Sequence, residues 1–252
     1  MHTLFLTPAY GILVTMTEDI QILKEIEKAA ALCEKQYTRE DIFCVLNTPS
    51  TDCPDIDVEK QICILKLDTI NSQQEADLLV FHQTNHHGLI REACSQKINE
   101  FMKKADICVF FQTKEIHDTL LKAANDINPN ICRAIIEILP YVNDKNYLLD
   151  KLYKRFDEVF EELEKLKRSN WYTKKLFNLY WCLEALHALN PPYDTRIENV
   201  LLKTSKFKDY TIREKTAMVL SALVYSSEVL DNIKSALKTD DNFYVRRYSR
   251  DF

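Results

Sequence analysis

Apolar stripes with closely matching helical offsets return along this chain at nearly constant intervals. Their first inward residues are Ile90, Ile131, Tyr172, Ile212 and Val245, separated by 41, 41, 40 and 33 residues. A period of this size marks a row of stacked supersecondary units. The clearest copy is Ile116–Val142, IHDTLLKAANDINPNICRAIIEILPYV. Ile116, Leu120, Leu121 and Ala124 share one face of a first helix. Ile131, Ile135, Ile138, Leu139 and Val142, at offsets 0, 4, 7, 8 and 11, share one face of a second. Between them Asn128 is placed to cap the second helix, and Pro129 sits at its first position, where a missing N–H costs nothing. One such pair cannot bury its own stripe, so copies must lean on one another.

Glycine use supports the same reading. Only Gly11 and Gly88 occur in 252 residues, which fits a nearly all-helical chain with short connections. It also excludes the glycine-rich phosphate loops and the nucleophile elbow. The 46% hydrophobic and 28% charged composition is that of an ordinary soluble protein. Charge is uneven. Residues 127–252 carry 21 basic and 18 acidic side chains, the first 126 carry 12 and 20, a polarity that either orients a partner or simply solvates two surfaces. Eight cysteines without a CxxC pair, several on apolar helical faces, point to a reduced, cytoplasmic compartment.

The first 70 residues match the repeat poorly and are expected to form an irregular arm and helices capping the array, which itself runs over 71–252. The run LFLTPAYGILVTM lacks a basic flank, is broken by Pro8 and Gly11, and is too short to span a bilayer. It reads as an extended arm rather than a signal peptide, and Met16 ahead of Thr17-Glu18-Asp19 offers a second possible start. Helices are expected from Glu18 to about Glu34 through Leu23 and Ile26, and from Thr38 through Ile42 and Leu46. NTPSTDCP (Asn47–Pro54) is a loop. Asp55–Ile70 is helical, or a short strand over CILKL. The array then follows. Ser72 with Glu75, Thr195 with Glu198 and Thr211 with Glu214 have capping-box spacing. The long helix Asn146–Arg168 alternates apolar steps of three and four like a coiled-coil seam. Trp171–Leu189 is its partner, ended by Pro191-Pro192.

The turns are the informative part. TNHHGLIREA, NDINPNICRA, KDYTIREKTA and TDDNFYVRRY share an Asp or Asn, then an aliphatic residue or Cys, then Arg. This resembles the HEAT repeat, whose turn carries Asp followed by Val-Arg at the start of the second helix. The matching pairs are Ile90-Arg91, Cys132-Arg133, Ile212-Arg213 and Val245-Arg246, preceded by Asn85, Asp126, Asp209 and Asp240. Tyr172-Thr173-Lys174 departs from the pattern, with no Asp and Lys in place of Arg. The resemblance implies an all-α fold, an α-α superhelix of about six helix pairs in one continuous HEAT-like solenoid whose second helices line a concave face. It also implies that Arg91, Arg133 and Arg213 tie successive turns together by bonding an Asp or exposed carbonyls.

No Ser/His/Asp or Cys/His arrangement stands out, so no enzyme activity, cofactor or metal is expected. His82, His86 and His87 lack a third ligand at useful spacing and read as a polar turn. Trp171, Lys174 and Lys175 interleave aromatic and basic groups at the start of a second helix. Arg246, Arg247 and Arg250 lie on the last unit, with no following repeat to bond. These six are the candidate partner-binding residues. The expected function is a protein–protein interaction scaffold or adaptor, taking a protein or peptide on the concave face and no membrane. The alternative is a nucleic-acid-binding solenoid, since similar proteins, the alkylpurine DNA glycosylases among them, grip phosphates with such surfaces. Lys203, Lys206, Lys208, Arg213 and Lys215 would add to that patch, while the acidic balance of the whole chain opposes it.

Overall fold

A computed structural model describes residues 22–24, 26–49, 54–166 and 170–250. The arm at residues 1–16, the second start at Met16 and the last two residues lie outside these. The chain divides into two compact units, one ending at Asp68 and one beginning at Thr69. Among the described residues all regular structure is helical, with no strand, and no helix is long and apolar enough to cross a membrane.

In the first unit, residues 26–34 form α1, Arg39–Asn47 α2 and Pro54–Lys66 α3. Thr38 and Asp41 close a capping box that starts α2, each side chain accepting the other's backbone N–H. Helices α2 and α3 pack through Ile42, Leu46, Ile62 and Ile64. CILKL is therefore helix, not strand. Leu23 and Ile26, expected on an inward face, stay 58% exposed. Behind α3, the Lys66 ammonium donates to the carbonyls of Cys33 and Lys35, both at 2.7 Å, and the Tyr37 hydroxyl donates to Glu59.

The second unit is a regular row of pairs. They are α4 (Gln73–Phe81) with α5 (Gly88–Met102), and, after a short α6 (Ala105–Cys108), α7 (Lys114–Ala123) with α8 (Pro129–Ile136). Then come α9 (Lys145–Lys165) with α10 (Asn170–Leu189), α11 (Thr195–Thr204) with α12 (Tyr210–Ala222), and α13 (Glu228–Lys238) with α14 (Phe243–Ser249). Each helix touches its partner. The first helices touch in the order α4, α7, α9, α11, α13, and the second helices in the order α5, α8, α10, α12, α14. The result is two parallel layers of helices with the core between them, the arrangement of a helical repeat array.

Ile90, Ile131, Ile212 and Val245 are all fully buried at the equivalent place in their repeats. Tyr172 is not; it and Tyr180 are half-exposed, and the burial of α10 passes instead to Leu179, Trp181, Cys182, Leu183 and Leu186. The second helix of the central pair is shorter than its stripe. It ends at Ile136 because Pro140 cannot continue it, and a 3-10 turn at Leu139–Tyr141 carries Leu139 and Val142 back into the core. Helix α9 buries more than a seam: Leu148, Tyr153 and Phe160 join the expected Leu149, Leu152, Phe156, Val159 and Leu163, because α7, α10 and α11 all pack on it.

Two caps differ from their expected sites. Asp194, one residue before Thr195, starts α11, leaving Glu198 to accept from the hydroxyls of Tyr193 and Ser227. Asp209 starts α12 by accepting from the Thr211 N–H and hydroxyl. An Asx acceptor two residues ahead of a free N–H competes well with a Ser/Thr–Glu box. Asn128 caps α8 with Pro129 at its first position, as the sequence indicates.

Candidate partner-binding edge

Among the described residues two arginine–aspartate rungs join successive turns of the second unit, one from the α4–α5 turn to the α7–α8 turn and one from the α11–α12 turn to the α13–α14 turn. Arg91 donates from Nε and Nη2 to Asp126 in the next turn, at 2.7 and 3.1 Å, and from Nη1 to the carbonyls of Asn85 and His86 in its own. Arg213 repeats the geometry: Nε and Nη2 reach Asp240 at 2.6 and 3.0 Å, Nη1 reaches the carbonyls of Phe207 and Lys208. The receiving carboxylates also accept a local backbone N–H, Asp126 from Asn128 and Asp240 from Asn242. Five donors on one rigid fork thus close two turns at once. Burial works to raise the Asp240 carboxyl, but the bonds from Arg213, the Asn242 N–H and Asp241 together outweigh it and leave it below its ordinary value.

The receiving aspartate stands five residues ahead of the inward residue, as Asp126 does before Ile131 and Asp240 before Val245. At that position the α9–α10 repeat has Lys167 and the next repeat has Phe207. Asp209, matched to it in the sequence pattern, is three residues ahead and serves as a cap. The ladder therefore misses the steps on both sides of α10. Arg133, expected to be a rung, bonds no aspartate among the described residues. Its Nη1 donates to Asn130 at 3.2 Å and its guanidinium lies 5.9 Å from the Trp181 ring. Phe207 turns its ring to Phe160.

The expected binding residues distribute unevenly over the second unit. Trp171 is 63% exposed at the start of α10, with the Lys174 ammonium 4.7 Å from its ring centroid. Lys175 bridges to Glu162 at 2.6 Å. At the far end Arg246 is turned inward, its Nη1 donating to the carbonyls of Asp240 and Asp241. Arg247 lies against Tyr248, and Arg250 against Phe243. The structure thus separates the six into a cluster at α10 and a cluster on α14, and the Arg246 guanidinium is engaged within its own turn.

A hollow of about 600 Å³ opens beside Trp171, between the α7–α8 turn and the first two turns of α10. Ile127, Lys174, Lys175 and Phe177 line it with Trp171, and Asn125 forms its floor. A second hollow, about 540 Å³, begins on the other side of Asn125 between α7 and α9, lined by Lys122, Lys151, Lys154 and Arg155 with Asp118 and Glu158. A third, about 780 Å³, lies between Tyr172 and the α12 and α14 starts, with Lys208, Tyr210 and Arg213 on its walls. Deeper on α10, the Trp181 ring meets Phe177 and Tyr180 edge to face, and Lys215 sits 4.9 Å from the Tyr180 ring while bridging to Glu184. Burial lowers the Lys215 ammonium, and the Glu184 bond and charge together with Tyr180 more than restore it.

Sequence reasoning missed Ile127, Phe177 and the α7–α9 cations. Ile127 carried a signal: an aliphatic residue inside the polar turn Asn125–Asn128 has no core to enter, and it is 83% exposed. The cations carried none, since they come from helices 30 residues apart. His82 is buried at the end of α4 while His86 is exposed, and among the described residues no three His, Cys, Asp or Glu groups are placed to hold a metal. No family model matches the chain, and no curated protein does.

Proposed function

We propose that this protein is a HEAT-like, non-enzymatic scaffold that binds another protein or peptide in the cytoplasm. What carries the reading is the ladder and its interruption. Two arginines tie successive turns together as in a HEAT array, and the repeat between them leaves apolar and basic side chains on its edge, with a hollow among them. Exposed aromatic residues beside basic groups are the usual anchors of protein interfaces. A reduced compartment accords with the cysteines: burial pushes the thiols of Cys132 and Cys182 up to about 12, out of reach of thiolate chemistry.

A nucleic-acid-binding role is the second reading, favoured by Lys174 over the exposed Trp171 face. It is weaker, because Arg91, Arg213 and Arg246 spend their guanidinium donors on the protein and a phosphate would have to displace those bonds. The two are separated by affinity capture with the wild-type chain, followed by binding measurements with each purified partner, and by titrating a short DNA duplex at rising salt. A direct protein complex supports the scaffold. Tight DNA binding that falls steeply with salt, without any protein partner, overturns it.

A further inference from the structure

We infer that the hollow at the start of α10, together with the basic hollow behind Asn125, docks an extended acidic segment of a protein partner through one bulky apolar side chain. The inference rests on the scaffold reading and names the chemistry its partner must have. Ile127, Trp171 and Phe177 are 83%, 63% and 36% exposed around a space of about 600 Å³, a size typical of ligand clefts at roughly 300–1,000 Å³. Three large apolar groups converging on one open cleft are more than the scattered exposure every surface shows.

Charge decides between occupants. The two hollows share Asn125 and are lined by six cations, Lys122, Lys151, Lys154, Arg155, Lys174 and Lys175, against Asp118 and Glu158. This local excess stands in a chain whose net charge is −5, so an acidic ligand is drawn to this edge and repelled from the rest. Three of the cations are internally paired, Lys151 with Asp118, Arg155 with Glu158 and Lys175 with Glu162. Lys174 stands exposed over Trp171, at the mouth of the cleft. Carboxylates flanking an inserted side chain can reach Lys174 on one side and the α7–α9 cations on the other. A segment in extended form presents alternate side chains in opposite directions, which allows one residue to enter the cleft while its neighbours meet the cations. At the α5–α8 step the Arg91 fork ties the two turns together, whereas among the described residues Arg133 makes no such rung.

The test is a selection of displayed random peptides on the full chain, followed by fluorescence anisotropy with the selected peptides and with labelled oligothymidylate. The expected peptides carry one aromatic or large aliphatic residue among Asp and Glu. Their affinity falls by about tenfold or more in Ile127→Glu and Lys174→Glu and is unchanged in Lys238→Glu, a control at an exposed position of α13. Ile127 and Lys174 are exposed, so both variants keep the fold, which circular dichroism checks. Selected peptides without acidic character, or binding that survives Ile127→Glu, overturn the inference. If that surviving binding is instead lost in Arg133→Glu, the scaffold reading stands and only the site falls. Failure to select any peptide while oligothymidylate binds removes both.

Discussion

The ladder makes a prediction that a uniform row of surface arginines would not: Arg213→Met should be costly and Arg133→Met nearly free. Arg213 is 14% exposed and Asp240 8% exposed. Removing the arginine strands a shielded carboxylate that keeps only local partners, and frees the carbonyls of Phe207 and Lys208. Deleting one partner of a fully buried pair costs about 3–5 kcal/mol, whereas exposed pairs are worth about 0–1 kcal/mol. This pair lies between these limits, so a loss of about 2–3 kcal/mol is expected, with Arg91→Met slightly less. Arg133, which bonds no aspartate among the described residues, should lie within about 0.5 kcal/mol of wild type. Urea melts give the comparison, provided the slope is unchanged; a lower slope reports the α13–α14 pair detaching by itself, as end repeats do. A double-mutant cycle of Arg213→Met with Asp240→Asn should return a coupling of about 1–2 kcal/mol. Acid supplies a second check. The folded-state Asp240 carboxyl lies below its ordinary 3.8, so its contribution is complete above that value and is lost as pH falls through the lower folded one. Arg213→Met should flatten that part of the acid limb. Equal costs for Arg133→Met and Arg213→Met, or zero coupling, would refute the argument.

Other substitutions test the packing directly. Phe156→Ala, at a fully buried position of α9, should lose about 3–5 kcal/mol by cavity formation in a thermal or urea melt. Gly88→Ala should stabilise by about 0.5 kcal/mol: its backbone is not in the left-handed region, an added Cβ meets open space, and the unfolded chain loses freedom. His117 is 1% exposed. Burial holds its pKa below 6.5, against the pull of Asp144, the Phe111 carbonyl, Asp118 and Glu115. Stability should therefore decline as pH drops below 6.5, where the unfolded chain takes up the proton first, and His117→Leu should remove that decline from the pH–stability profile. Thr38→Ala should cost α2 about 1 kcal/mol through loss of its cap.

The architecture was legible because the repeat is written twice over, in apolar stripes and in turns. Ile90, Ile131, Ile212 and Val245 could be aligned from spacing alone, since one-face burial leaves period-3.6 apolar residues no other solution. Local choices were harder. Asp194 and Asp209 took over caps that Thr195 and Thr211 appeared to own, because two acceptors within two residues compete and the geometry of the incoming turn decides. Tyr172 was misread for a related reason: the apolar pattern of α10 is continuous enough to support more than one face, and packing against α8, α9 and α12 selected the one through Trp181. The α7–α9 cations were illegible in principle, for nothing in a sequence says which exposed lysines of two helices will meet.

The departure from the repeat carries more functional information than the repeat itself. Where the pattern holds, at Arg91–Asp126 and Arg213–Asp240, the arginine bonds both turns and has nothing left to offer a partner. Where it fails, Lys167 and Phe207 stand in the aspartate's place, Arg133 turns to the Trp181 face, and Trp171, Lys174 and Ile127 remain at the surface. If that failure were mere drift, restoring it should only help. By the five-residue register of Asp126 and Asp240, Lys167→Asp puts a carboxylate at the sequence position of the missing receiver for Arg133 and, on the ladder's energetics, should raise stability by about 1 kcal/mol. On the docking argument the same change should weaken the selected acidic peptides, by engaging Arg133 and by replacing a cation with an anion four residues ahead of Trp171. A variant that becomes more stable and binds acidic peptides as well as before would separate the ladder from the site, and would show that the gap in the array has no part in recognition.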